Sequence, residues 1–286
     1  MFSDVLICAD YDRTLTDPFG SVPQANVKAI QEFMAKGGAF TVNTGRSVPM
    51  ASAIFAKVPI NAPALLYNGA AAYDTVTRQL TMCHPLELDP EEAVVSIHER
   101  FPQVLLEVQG VDAHYGFWGE NHFWEEMCKA NGAKTKVIQP HEIPRPFLKF
   151  SMTGTLESSS VSQLFLPIHH EEAALLDEIT QWMAEKWGEK ITIARAGYRI
   201  LDVQAAGTSK GALGRSLAKS MGRKILICIG DEENDRSMLE EGDLSFVPTD
   251  GRASLQGLFR SCAPCGEGSV ASVIRQLPQI LERSSI

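Results

Sequence analysis

Asp10 and Asp12 stand two residues apart at the end of an apolar run. Two carboxylates leaving a strand together can meet one ligand from the same side. One can then serve as nucleophile and the other as general acid and base, provided a cation offsets their repulsion. Asp-x-Asp is also common in plain turns, so the pair alone decides nothing. The string Asn43-Thr44-Gly45-Arg46-Ser47 offers a hydroxyl, a glycine that exposes backbone N–H groups and a helix start. That is either an anion cradle or an ordinary capped turn. Gly207-Thr208-Ser209-Lys210-Gly211 opens a helix, and a lysine in a first turn opposes the helix dipole unless an anion answers it. An exposed lysine is the plainer alternative. Finally, Gly230-Asp231-Glu232-Glu233-Asn234-Asp235 follows a second apolar run. Acids there suit a hard cation such as Mg2+, or simply favour a helix N-terminus.

Parallel β-structure would place all four strings at one edge. Residues 4–11 are too short for a helix and rich in strand formers, which predicts a buried strand. A helix over 23–36, a strand over 39–42, a helix over 48–57 and a strand over 64–67 complete a β-α-β-α-β order. The C-terminal end alternates likewise: helix 209–221, strand 224–229, helix 233–241, strand 244–247 and helix 270–282. Such alternation predicts a parallel sheet whose C-terminal strand ends gather ligands. The middle differs, with longer alternating strands (VLLEVQG, FLKFSMTG, ITIARAG, YRILDVQ), helices over 90–100 and 171–187, and an irregular loop over 155–167. The expected fold class is α/β, a Rossmann-like parallel-sheet core (1–83 and 204–286) with an inserted α+β cap (84–203).

Composition narrows the partners. The 286 residues are 44% hydrophobic with a net charge of −9, which favours a packed globular chain and disfavours nucleic acid or an anionic membrane surface. No apolar run reaches the roughly 18–20 residues that span a bilayer. The N-terminus lacks a basic leader, so a cytoplasmic protein is expected. Six scattered cysteines do not make a disulfide framework; Cys262-Ala-Pro-Cys265 could be a redox pair or half a zinc site, but no second pair completes the zinc site and it does not open a helix near the start of a thioredoxin-like domain. Gly266 to Ala271 fits G-x-G-x-x-A, but no strand or ribose-binding acid follows it.

Together and in this order, the four strings resemble motifs I to IV of the haloacid dehalogenase-like hydrolases over the whole chain. The likeness is to the branch with an α/β cap between motifs II and III, the Cof-like sugar-phosphate phosphatases. Thr44-Gly45-Arg46, Asn68-Gly69-Ala70, Lys210-Gly211 and Gly230-Asp231-x-x-Asn234-Asp235 carry it. The resemblance implies that Asp10 attacks phosphorus and that Asp12 protonates the leaving oxygen and then activates water. It implies that Thr44, Gly45, Lys210 and Asn234 hold phosphoryl oxygens and that Arg46 is placed to reach the leaving group. Mg2+ would be bound by Asp10, the Asp12 carbonyl and Asp231, with Asp235 in support. The implied partner is a small phosphorylated metabolite.

Position 13 is Arg where the family usually has Gly, and a solvent-facing side chain is expected for it. A phosphomutase would share the chemistry as far as the aspartyl-phosphate, and a non-catalytic metabolite sensor would share the fold. In the cap, His114, Tyr115, Trp118 and His122 could stack on a ligand or simply pack. Arg195, Tyr198 and Arg199 are candidates for a second anionic group.

Overall fold

The computed structural model describes residues 1–119, 121–153, 170–196 and 199–283. The first stretch contains β1 (Val5–Ala9), α1 (Gln24–Ala35), β2 (Ala39–Val42), α2 (Val48–Phe55), β3 (Ala64–Leu66), β4 (Ala71–Asp74) and β5 (Gln79–Cys83). Next come α3 (Pro90–Arg100), β6 (Leu105–Gln109), β7 (His114–Gly116), α4 (His122–Ala130), β8 (Thr135–Val137) and β9 (Lys149–Thr153). The chain continues through α5 (His170–Trp187), β10 (Ile191–Ala196), β11 (Ile200–Ala205), α6 (Lys210–Ser220) and β12 (Ile225–Ile229). It closes with α7 (Arg236–Glu241), β13 (Leu244–Pro248), β14 (Arg260–Cys262) and α8 (Ser269–Arg283). The loop expected at 155–167 and Tyr198 lie outside the described residues.

Contacts divide the chain into two compact units, one of Met1–Thr44, Ala53–Thr81 and Ser209–Ile286, the other of Gly45–Ser52 and Met82–Thr208. The segment 45–52, placed by the sequence with the first unit, groups with the second. Two polar contacts explain it: Ser47 Oγ lies 2.7 Å from His114 Nε2, and Lys149 Nζ donates to Gly45 O at 2.8 Å.

The first unit is built on a five-stranded sheet in the order β14-β13-β12-β1-β2, parallel throughout. Every residue of β1 is buried, as a strand covered on both faces demands. β3 departs from expectation. It pairs antiparallel with β4 in a separate three-stranded sheet with β5, and meets the end of β2 only through a single bridge, Asn43 to Leu65. β14 was not foreseen, because its Arg260 and Ser261 are exposed and give no apolar signal. The helix expected over 233–241 begins as a tighter turn at Glu233–Asp235 before α7.

The second unit contains a six-stranded sheet, β10-β11-β9-β6-β7-β8, antiparallel except between β7 and β8. Its strands β6, β9 and β11 alternate. Leu106, Val108, Phe150, Met152, Leu201 and Val203 enter an apolar core with α3 and α5 residues such as Val94, Ile97, Leu176 and Met183. The intervening Glu107, Gln109, Ser151 and Asp202 are also buried, on the opposite face. That face is held by hydrogen bonds: Gln109 to Ser151 (3.2 Å), Ser151 to Asp202 (2.6 Å) and Lys149 to Asp202 (2.9 Å). α4 was read from the sequence only as a polar-aromatic stretch. It is a helix capped by Asn121, whose Oδ1 accepts the Trp124 N–H.

Candidate active site

Strand register brings the motifs together in the first unit. β1 and β12 are adjacent and in step, Ala9 opposite Ile229, so Asp10 and Asp231 leave neighbouring strand ends. Asp10 N–H donates to Ile229 O at 2.9 Å, and Asn43 N–H to Ala9 O at 2.8 Å, which brings Thr44 to the same edge. Thr44 is buried; its N–H donates to Leu65 O and its carbonyl accepts the Asn68 N–H.

α6 supplies the cation. Ser209 caps it by accepting the Ala212 N–H at 3.0 Å, which puts Lys210 in the first turn. Asn43 Nδ2 donates to Lys210 O at 2.8 Å, and a Cβ on Gly69 would come within 2.1 Å of Ser209 O. Glycine at 69 is thus required both by that approach and by its φ of +96°. So held, the Lys210 ammonium reaches Asp10 Oδ1 at 2.7 Å and Asp235 Oδ1 at 2.6 Å. The anion that a first-turn lysine asks for is present twice over.

Three carboxylates converge on this point. Asp10, Asp231 and Asp235 are buried, with donor atoms all within 4.8 Å of one another. Burial, then the neighbouring Asp235 charge, pushes Asp10 well above the usual carboxylate range, against the pull of Lys210. The same two causes raise Asp231 to about 7, although Thr14 Oγ1 donates to its Oδ1 at 3.1 Å. Burial works to lower Lys210, but Asp10 and Asp235 outweigh it and hold it charged. Three acids share one lysine in an all-oxygen donor set, so they can ionise together only if a further cation joins them. That fits a hard divalent cation such as Mg2+.

The remaining residues divide clearly. Asp235 is largely committed: its Oδ2 accepts the N–H groups of Asp231 and Glu232 at 3.0 and 3.1 Å, so it shapes the turn. Asp12, by contrast, is exposed on the turn after Asp10. Asn234 is half-buried beside Asp235. Gly45 and Arg46 group with the second unit. Arg13 sits at φ +59°, the left-handed region, which explains the glycine usual there. Its Nε lies 3.6 Å from Asp231 Oδ2 while the side chain is 57% exposed, so it is not simply solvent-facing.

Among the described residues, the ligand candidates of the second unit do not assemble with one another. His114 and Tyr115 are successive residues of β7, both buried and on opposite faces, and the Tyr115 hydroxyl donates to Asp112. Trp118 stacks on His98 with ring centroids 3.6 Å apart, and exposed His122 lies 3.4 Å from Glu126. Arg195 and Arg199 pair with Asp177 and Glu172. Cys262 and Cys265 are free, buried thiols, each pushed up to about 12 by burial first and by Asp250. Sequence reasoning missed Thr14, which holds Asp231, and the polar cluster around Glu107. A hydroxyl two residues after Asp12 was the only available signal for the former.

Known proteins resemble the chain over most of its length. The sequence profile of the haloacid dehalogenase-like hydrolases matches residues 7–257. A Bacillus subtilis protein, the 5-amino-6-(5-phospho-D-ribitylamino)uracil phosphatase YitU, is 23% identical over 279 residues, covering 95% of this chain and 96% of its own. The HMP-PP phosphatase of Serratia proteamaculans is 24% identical over 236 residues, 82% of this chain and 80% of its own. Among solved structures, SMU.1108c from Streptococcus mutans superposes with a TM-score of 0.79 at 16% identity, covering 98% of this chain and all of that one. The Rossmann-like core with an additional α+β region is therefore a shared fold.

Proposed function

Because the chain belongs to the haloacid dehalogenase-like hydrolases, we propose that it is a Mg2+-dependent phosphatase of small phosphorylated metabolites, sugar phosphates foremost, with Asp10 as nucleophile. The observation that carries the reading is the buried trio Asp10, Asp231 and Asp235 set against Lys210. The phosphatase names of the YitU and HMP-PP relatives support the substrate class.

The Asp10 and Asp231 carboxylates and the Asp12 backbone carbonyl would hold the cation, with Asp235 fixing the turn that presents Asp231. Bound there, Mg2+ supplies charge neutralisation, letting a carboxylate approach a phosphate dianion. Asp10 attacks phosphorus, the bond to the leaving oxygen breaks, and an aspartyl-phosphate forms on Asp10. Asp12, exposed on the turn after Asp10, donates to the departing oxygen. It then takes a proton from the water that attacks phosphorus, freeing phosphate and restoring Asp10. Thr44, Lys210 and Asn234 hold the equatorial oxygens, where charge spreads in the transition state. Gly45 and Arg46, next along the chain, keep the tasks the resemblance gives them. Six free thiols suit a reducing compartment, which supports action in the cytoplasm. Among the described residues no helix is long and apolar enough to cross a membrane.

The test is release of free phosphate, rather than an isomerised sugar phosphate, from p-nitrophenyl phosphate and a hexose-phosphate panel, with and without Mg2+. Unchanged activity in Asp10→Asn or Asp12→Ala overturns the mechanism.

A further inference from the structure

The second unit holds a buried cluster that the phosphatase chemistry does not use. Glu107 on β6, His114 on β7 and Cys128 on α4 each offer a donor atom to one point. Their separations are 3.1 Å (Glu107 Oε2 to His114 Nδ1), 3.5 Å (Cys128 Sγ to Glu107 Oε2) and 3.6 Å (Cys128 Sγ to His114 Nδ1). Tetrahedral zinc, with Zn–O and Zn–N near 2.0–2.2 Å and Zn–S near 2.3 Å, separates its ligands by roughly 3.3–3.6 Å. The three donors thus already form one face of such a tetrahedron. We propose that Glu107, His114 and Cys128 form a zinc site inside the second unit, with the fourth position left to water.

The surroundings favour it. Metal-ligating histidines use the other ring nitrogen to bond a fixed partner, and His114 Nε2 lies 2.7 Å from Ser47 Oγ. Gln109 Nε2 donates to the second Glu107 oxygen at 2.6 Å, and Trp124 Nε1 to Oε2 at 2.7 Å. Strand pairing sets Gln109 opposite His114, so Glu107, Gln109 and His114 share one sheet face. Trp124 and Cys128, one helical turn apart, come down on it together. Mixed O, N and S donors select zinc or cobalt over Mg2+, whereas the Asp10 cluster has oxygens alone. On binding, the S–H bond gives way to S–metal and the proton leaves to solvent.

Cobalt(II) titrated into the full-length, chelator-stripped protein tests this independently of any phosphatase activity. The expected result is a thiolate-to-cobalt absorption band in the near ultraviolet with tetrahedral visible bands at one equivalent. Zn2+ should displace it and excess Mg2+ should not. Cys128→Ala, which leaves the Glu107–His114 pair in place, should abolish the band, while Asp10→Asn and Cys262→Ala keep it. Ser47→Ala should weaken cobalt affinity by about 10-fold or more. A binding curve without the thiolate band, a band that survives in folded Cys128→Ala, or no binding to the wild type overturns the proposal. Circular dichroism of each variant separates loss of the site from loss of the fold.

Discussion

Lys210 Nζ stands 2.7 Å from Asp10 Oδ1, buried with it and joined across 200 residues of sequence. The ammonium is shared with Asp235, so it neutralises part of a site that would otherwise be three desolvated anions. Removing one partner of such a buried arrangement leaves charge uncompensated. Lys210→Met should cost about 3–5 kcal/mol in metal-free protein, read as a lower urea midpoint. Phosphate release should fall by about 100-fold or more as a transition-state charge contact disappears. Retention of both would remove Lys210 from the site.

Asp231 gives an expectation of opposite sign. It adds negative charge to a buried cluster already in excess, so Asp231→Asn should relieve repulsion in the presence of EDTA. A gain of about 1 kcal/mol corresponds to roughly 2–4 °C in Tm for a chain of this size. The same variant should lose the stabilisation that millimolar Mg2+ gives the wild type, since binding to the folded state alone raises stability. Differential scanning calorimetry with and without Mg2+ reads both effects. A destabilised, still Mg2+-responsive variant contradicts the assignment.

Thr14 Oγ1 orients Asp231 from outside the donor set at 3.1 Å. Thr14→Val keeps the volume and removes the O–H. Mg2+ affinity should weaken by about 10- to 100-fold, seen as a shift in the Mg2+ dependence of phosphate release with the maximal rate largely recovered at saturation.

Gly69→Ala tests how α6 is seated. The added methyl would meet the Ser209 carbonyl in a backbone conformation that L residues avoid. The expected cost is about 1–3 kcal/mol from overpacking alone, with activity lost beyond the stability effect because Ser209 carries Lys210. An unchanged urea midpoint would show that β3 and β4 do not hold the helix.

The pH response has a defined sign at Asp243. Burial would raise its carboxyl, but hydrogen bonds from Arg215 and from the Leu226 N–H outweigh that and hold it below its ordinary 3.8. A depressed folded value means that the contribution is present above the unfolded pKa and is lost as pH falls through the folded one. Asp243→Asn should therefore be less stable than wild type at neutral pH, and the gap should begin to narrow below about pH 4. The side chain is 39% exposed, so the difference should stay under about 1 kcal/mol. Paired urea titrations at pH 7 and pH 3 measure it.

The sequence by itself determined the parts that local pattern and residue chemistry encode. The apolar runs before Asp10 and Asp231 could only be buried strands, and both are. The alternation in FLKFSMTG and YRILDVQ announced an antiparallel sheet with one apolar face. That Asp10 and Asp231 follow strand ends was legible in the apolar runs before them, whereas the roles proposed for Asp10, Asp12 and Asp231 came from the resemblance and not from spacing. Tertiary structure alone decided the rest, because those relationships rest on register and on helix seating between distant segments. It set Lys210 between Asp10 and Asp235 and showed Asp235 committed to backbone N–H groups. It placed Arg13 in the left-handed region beside Asp231. It detached β3 from the parallel sheet, and it made His114–Gly116 a strand and His122–Ala130 a helix whose His114 and Trp124 both reach Glu107. No spacing in the chain relates Glu107, His114 and Cys128. Only the pairing of β6 with β7, and the helix lying on that face, makes them neighbours.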